Sequence, residues 1–335
     1  MAGKLTFGYI YDFRNPPQWQ RPSHELYAEM LDVIAWSEEA GFAGAWIPEH
    51  HIASDGYMPS PMVALGAIAA RTKRMTIGSG IVLAPLYNPV RFATDCAVLD
   101  IFAGSRLEMG LAIGYRKRET AAFGVDFHKR GKMLDEWLEI VTRLWAGETL
   151  DWDSGFYSFK GAKVMPLPPR GKVPLIIGGF AGRAVERILK FGDGYMGTDT
   201  VCQAYVDKLR ELGRDTSAAK VRITGVTTVV ADETEAAMDE LAPYFLHVNN
   251  SYGEWFGEDQ VHDDGHAMKP MTLDEFKASG MLTILTPEQA VATFRDLQER
   301  MALDQYIMSM PCGLPAKRFI HYAGIVRDKV MPAFA

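Results

Sequence analysis

Met75-Thr76-Ile77-Gly78-Ser79-Gly80-Ile81-Val82-Leu83, then Val90 to Phe102, then Leu107 to Ile113, is the stretch whose reading decides the fold. The first segment is apolar along most of its length rather than at alternate positions, as expected of a strand covered on both faces. The second has helical character, and the third is again a strand. A strand, a helix and a strand in that order make a β-then-α unit leading to its neighbour.

The same alternation extends outward in both directions. Upstream lie a strand at Leu5–Tyr11, a helix at Ser23–Ala40 with Ser23 as N-cap and Gly41 as stop, a strand at Ala45–Ile47 and a helix at Met62–Ala70. Downstream, Asp126 to Trp145 reads as a long amphipathic helix with Met133, Leu134, Trp137, Leu138, Val141, Leu144 and Trp145 on one face. Pro174–Gly178 is a fifth strand with a helix over Ala181–Phe191, and Gly194–Gly197, Val221–Val230 and Gln305–Met310 complete eight. Eight such units without a linker fit an α/β protein of one domain, a (β/α)8 TIM barrel spanning residues 1–335, better than two doubly wound domains. Two insertions interrupt the alternation. Residues 147–169, after the fourth strand, read as a hairpin-like excursion. Residues 246–280, after the seventh, mix Tyr252, Trp255 and Phe256 with Glu254, Glu258, Asp259, Asp263 and Asp264. Following a barrel strand, that segment rises from the C-terminal face, either as a lid or pocket wall or as a solvated loop.

Composition narrows the function. The chain of 335 residues is 48% apolar and 23% charged, with 35 basic against 42 acidic residues and a net charge of −7. That balance excludes a broad nucleic-acid-binding surface, which needs a basic face. Cys96, Cys202 and Cys312 are too scattered for a disulfide framework or a zinc site. The N-terminus lacks a signal peptide's apolar stretch, and the longest apolar run falls short of the roughly 20 residues that span a bilayer. The expected setting is cytoplasmic, with no membrane partner.

Three constellations can carry chemistry. Trp46-Ile47-Pro48-Glu49-His50-His51 ends the second strand, where barrel enzymes place catalytic groups. Adjacent histidines there point in opposite directions and would chelate one metal poorly; one of them inside the cavity suits general acid or base work. Gly178-Gly179-Phe180-Ala181-Gly182-Arg183 lies between a strand and a helix. It is either an anion-binding turn at a helix N-terminus, with Arg183 adding charge, or a plain glycine turn. Gly78-Ser79-Gly80-Ile81 suggests something packed close to the backbone, a flat ring or simply the barrel's own packing. His262, Asp263, Asp264 and His266 have no rigid element to hold them, and no metal is expected there.

Together these residues resemble the bacterial luciferase-like monooxygenase family, of the Glu-His-His type. The matching pieces run in order: Trp46–His51, Arg71-Thr72, Asn88–Arg91, Leu99-Asp100, Gly104–Gly110, Ile113–Tyr115, Phe123–Asp126, the glycine turn from Gly178, Thr286–Glu288 and Val330–Pro332. The resemblance implies a barrel that receives reduced FMN from a separate NAD(P)H:flavin reductase, adds O2 to give a C4a-peroxyflavin and oxidises an apolar organic substrate. It makes His50 the catalytic acid/base with Glu49 beside it, and puts Gly80-Ile81 where a non-prolyl cis peptide lies behind the flavin ring. Gly114 and Tyr115 fall at the cofactor, and Gly178, Gly179, Phe180, Ala181, Gly182 and Arg183 at its phosphate, while Tyr252, Trp255 and Phe256 cover the substrate pocket. A homodimer is implied as well. Alternatives on the same scaffold are an F420-dependent hydride-transfer enzyme and a non-catalytic flavin-binding accessory protein. Ala112 and Ile113 replace a reactive cysteine and a phosphate-binding arginine of the light-emitting enzymes, so light emission is not expected, and phosphate binding falls to Arg183 or to Arg116, Lys117 and Arg118.

Overall fold

Strand β1 (Thr6–Ile10) is followed by helix α1 (Ser23–Glu39), β2 (Gly44–Ile47), α2 (Pro61–Arg71), β3 (Thr76–Leu83), α3 (Pro89–Phe102) and β4 (Leu107–Ala112). After β4 come α4 (Lys117–Ala122), α5 (Arg130–Trp145) and the strands β5 (Leu150–Asp153) and β6 (Ser158–Ala162). The chain continues through β7 (Leu175–Ile177), α6 (Gly182–Phe191), β8 (Gly194–Gly197), α7 (Asp199–Glu211), β9 (Lys220–Thr224) and β10 (Thr228–Val230). It ends with α8 (Thr234–Asp259), α9 (Leu273–Ala278), β11 (Thr283–Leu285), α10 (Pro287–Met301), β12 (Gln305–Ser309) and α11 (Ala316–Ile325). This computed structural model describes residues 4–179, 182–216, 219–259 and 268–335.

Eight of these strands close into a parallel barrel in the order β1-β12-β9-β8-β7-β4-β3-β2. Closure is made by β1 on β12, from Thr6 opposite Gln305 to Ile10 opposite Ser309. Close strand approach explains Gly78, where a Cβ would stand 2.1 Å from the Glu108 carbonyl oxygen. Outside the barrel, β5 and β6 form the antiparallel hairpin expected within residues 147–169.

The expected strand Val221–Val230 is instead two strands. A turn in which the Thr228 amide donates to the Gly225 carbonyl (3.0 Å) ends the barrel ladder, and β10 pairs with β11 in a separate parallel sheet. The Tyr306 ring leaves room at this turn only for glycine: a Cβ on Gly225 would meet its hydroxyl at 2.1 Å. Helix α1 also starts differently. Pro22 occupies the N-cap without a side-chain bond and Ser23 is already helical, whereas Gly41, with φ +91°, does end it.

Helix α5 buries the expected face except for Met133, which is half-buried, and its indoles anchor it: Trp137 Nε1 donates to the Tyr87 carbonyl (3.0 Å) and Trp145 Nε1 to that of Ala93 (2.9 Å). Toward the N-terminal end of the strands, Lys220 Nζ lies 2.6 Å and Arg222 Nη1 2.5 Å from the two oxygens of Glu108. An apolar layer of Ile10, Trp46, Ile176, Met196 and Ile307 fills the interior beside them. These groups plug the barrel, so the working end is the opposite, C-terminal mouth.

Residues 246–259, read from sequence as part of an insertion, form the second half of the 26-residue α8, which runs through Pro243. The returning chain is tied to it: Asn250 Nδ2 donates to the Met271 carbonyl (2.9 Å) and its Oδ1 accepts the Met271 amide (2.9 Å). His262, Asp263, Asp264 and His266 lie outside the described residues. Among the described residues, no helix is long and apolar enough to cross a membrane, and the three cysteines are buried free thiols.

Candidate active site

β2 ends at Ile47, and beyond it Pro48-Glu49-His50-His51 send the two imidazoles to different partners. His50 turns into the mouth and is buried. Its Nδ1 lies 3.0 Å from Glu119 Oε1 and its Nε2 3.3 Å from the Tyr252 hydroxyl. Tyr57, Tyr115, Tyr252 and Trp255 surround its ring at centroid distances of 4.8, 5.6, 5.5 and 5.1 Å. Burial raises the phenols of Tyr57, Tyr115 and Tyr252, so all three keep their protons at ordinary pH.

His51 faces the other way, its Nε2 2.8 Å from Glu49 Oε1. Glu49 does not touch His50. Its buried carboxylate accepts the Leu83 amide (2.7 Å) and the Tyr87 hydroxyl (2.9 Å), tying the end of β3 to the loop beyond β2.

That end of β3 contains a cis peptide at Gly80-Ile81, and the ladder to β4 shifts register between Ser79 and Val82. Two other glycine-marked ends share the mouth. After β4, Gly114 has φ +75° and Tyr115 presents a buried hydroxyl without a hydrogen-bond partner among the described residues. After β7, Gly179 has φ +138° and its carbonyl accepts the Tyr195 hydroxyl at 2.9 Å. Beyond β8, the Thr198 hydroxyl is likewise buried and unpartnered. Gly182 and Arg183 open α6, with Arg183 exposed and without an ion-pair partner among the described residues; Phe180 and Ala181 lie outside them.

The basic run 116–118 is committed elsewhere. Arg116 is buried, donates to the His51 carbonyl (2.8 Å) and to Glu119 (3.2 Å), and stacks on Trp255 at 4.2 Å. Lys117 Nζ donates to the Asp259 carbonyl (2.7 Å), and Arg118 lies 3.9 Å from Glu258. All three hold α8; of the four cations considered for an anion at the glycine turn, only Arg183 is without an ion-pair partner among the described residues. Tyr252, Trp255 and Phe256 share one face of α8, and Phe256 packs on Tyr115 at 5.0 Å.

Sequence reading missed Glu119, Tyr57 and Arg14, and it named Arg116 only as a phosphate-binding candidate. The guanidinium of Arg14 is buried behind Tyr57, 4.7 Å from its ring, and bonded to Asp55 (2.6 Å) and Ser251 (2.6 Å). Arg14 also borders a cavity of about 570 Å³ between the ends of β1 and β12, with Trp19, Tyr244 and Leu314 among its walls.

A model of the luciferase-like monooxygenases matches residues 5–304. The chain belongs to that family. Among relatives of this luciferase-like monooxygenase is the oxygenase component of a flavin-dependent trigonelline monooxygenase from Acinetobacter baylyi, 23% identical over 94% of this chain and 92% of the relative. Another is 4-hydroxyprotoasukamycin monooxygenase from Streptomyces nodosus subsp. asukaensis, 26% identical over 88% and 83%. Among solved structures, monooxygenase RslO1 from Streptomyces bottropensis superposes with a TM-score of 0.83 at 20% identity, covering 98% of this chain and all (100%) of that one. An F420-dependent secondary alcohol dehydrogenase shares the fold too, with a TM-score of 0.75 at 17% identity over 99% and 100%.

A flavin fits what this luciferase-like monooxygenase presents. Unpartnered hydroxyls of Tyr115 and Thr198 offer polar contacts, and glycine-marked backbone lets a flat ring lie close. The opening of α6 suits the ring's phosphate tail.

Proposed function

We propose that this chain is the oxygenase component of a two-component monooxygenase, using reduced FMN from a separate NAD(P)H:flavin reductase and O2 to oxidise a small apolar organic substrate. The observation that carries this reading is a buried imidazole, His50, at the C-terminal mouth of the barrel, enclosed by the rings of Tyr57, Tyr115, Tyr252 and Trp255. Gly80, Ile81, Gly114 and Tyr115 would hold the ring, and Gly178, Gly179, Gly182 and Arg183 the phosphate, with Phe180 and Ala181 completing that turn. When bound, reduced flavin supplies the electrons that activate O2. His50 holds or releases a proton at Nε2. Glu49 braces the β3 end on which the ring would rest. Tyr252, Trp255 and Phe256 exclude water, which oxygen activation requires, and favour an apolar substrate. Homodimer formation is part of the same reading, supported by Val63 and Phe102, which stand exposed on α2 and α3.

The test supplies FMNH2, FADH2 or reduced F420 in air with limonene, trigonelline, a long-chain aldehyde and a cyclic ketone, following product and peroxide. FMNH2 should give oxygenated product with at least one of them. Transfer of hydride between substrate and F420 without oxygen would overturn the proposal. His50→Ala should slow oxidation by about 10²- to 10⁴-fold while FMN affinity stays nearly unchanged.

A further inference from the structure

His50 has two ring nitrogens, and each meets a different neighbour. Glu119 Oε1, 3.0 Å from Nδ1, also accepts the His51 amide at 2.8 Å and Arg116 Nη1 at 3.2 Å. Burial pushes the Glu119 carboxyl up, but the His50 bond, the His51 amide and the Arg116 charge outweigh it and hold the group below the usual carboxylate range. An ionised carboxylate has no proton to give, so the hydrogen in the His50–Glu119 bond sits on Nδ1.

On the other side, Tyr252 keeps its proton and faces Nε2 at 3.3 Å, so the phenol donates and the imidazole accepts. Tyr57 in turn lies 3.1 Å from Tyr252 and supplies the hydrogen for that contact. One hydrogen per link then runs in a single direction, from Tyr57 to Tyr252 to Nε2, with Nδ1–H pointing to Glu119.

We propose that Glu119 is the positioning residue of this site: it fixes His50 in the Nδ1–H tautomer and leaves the Nε2 lone pair, to which the Tyr252 hydroxyl donates, as the proton-accepting position of the ring. The proposal rests on the reading of His50 as acid/base. When His50 acts as a base, a new N–H bond forms at Nε2 and the electrons of the broken bond stay on the donor. The imidazolium keeps Nδ1–H, and its charge lies against the Glu119 carboxylate. Release of the Nε2 proton reverses the step. The titratable and charged groups around His50 are His51 and Tyr57 on the loop beyond β2, Arg14 and Asp55 behind Tyr57, Tyr115, Arg116 and Glu119 around the start of α4, and Tyr252 on α8. Among these the only carboxylate bonded to the ring is Glu119.

The readout is the ring ¹⁵N shifts of His50 in the flavin-free protein, assigned by the signals lost in His50→Ala. In the neutral ring, Nδ1 should show the protonated-type shift and Nε2 the lone-pair type. In Glu119→Gln the pattern should move toward Nε2–H, and Glu119→Asp should restore it at least in part. Turnover with FMNH2 should fall on the order of 100-fold in Glu119→Gln, with FMN affinity within about threefold of the parent. An Nε2–H ring in the unmodified protein, or a pattern unmoved in Glu119→Gln, overturns the proposal while leaving His50 as the acid/base group. A shifted tautomer with full turnover in His50→Ala overturns the catalytic reading itself and reduces Glu119 to a structural partner.

Discussion

Glu49 and His50 are neighbours with different work. Glu49 satisfies the Leu83 amide, the Tyr87 hydroxyl and His51 from one buried carboxylate, so removing it leaves interior donors unpaired. Glu49→Ala should cost about 3 kcal/mol of unfolding free energy, measured by urea titration. A group that only took part in chemistry would cost turnover and leave the urea midpoint in place, and that outcome would remove the bracing role. The run Trp46–His51 was legible because a strand end in a barrel faces the cavity. Its partners were not. Leu83 and Tyr87 lie 34 and 38 positions from Glu49, and Glu119 lies 69 from His50, distances over which sequence pattern carries no pairing information.

At the scale of elements, the segment expected to be either a lid or pocket wall or a solvated loop is helical up to Asp259 and packs on the His50 ring. Trp255 lies between the Arg116 guanidinium at 4.2 Å and the His50 ring at 5.1 Å, closing the mouth over the imidazole. Trp255→Ala should therefore raise the fraction of reduced flavin lost as peroxide several-fold, and Trp255→Phe should largely restore coupling. Peroxide measured with FMNH2 under saturating substrate decides it; an unchanged fraction would place the barrier to water elsewhere. The positions 252, 255 and 256 already carried helical spacing. Pro243 and the acidic run obscured it, because proline ordinarily ends a helix and the charges read as solvated loop. The split of β9 from β10 was hidden for another reason. Both pieces are β-rich, and only the Tyr306 ring, from a strand far along the chain, makes Gly225 a corner.

The whole barrel was legible because strands buried on both faces are written as apolar runs, and eight such runs separated by helices have few ways to close. The charges buried within it were not legible, and they set how the molecule responds to pH. Burial pushes Asp12 up to about 6, against the pull of the Arg14 charge, while Glu38, Asp55, Glu108 and Glu119 are held low by their partners despite burial. The low group contributes stability above the ordinary carboxylate range and loses it as pH falls through the folded values. Asp12 acts with the opposite sign. Its folded value lies above the ordinary 3.8, so the folded chain holds the extra proton between about pH 4 and 6 and loses stability as pH rises through that window. Asp12→Asn abolishes this titration and keeps an oxygen able to accept the Arg14 amide, now 3.1 Å from Asp12 Oδ1. The variant should match the parent near pH 4 and exceed it by up to about 3 kcal/mol at pH 7, the worth of a displacement of about two on the pH scale. Urea titrations at pH 4.5, 5.5, 6.5 and 7.5 measure the gap; one that stays constant across the series would mean that Asp12 is ionised throughout, held so by Arg14.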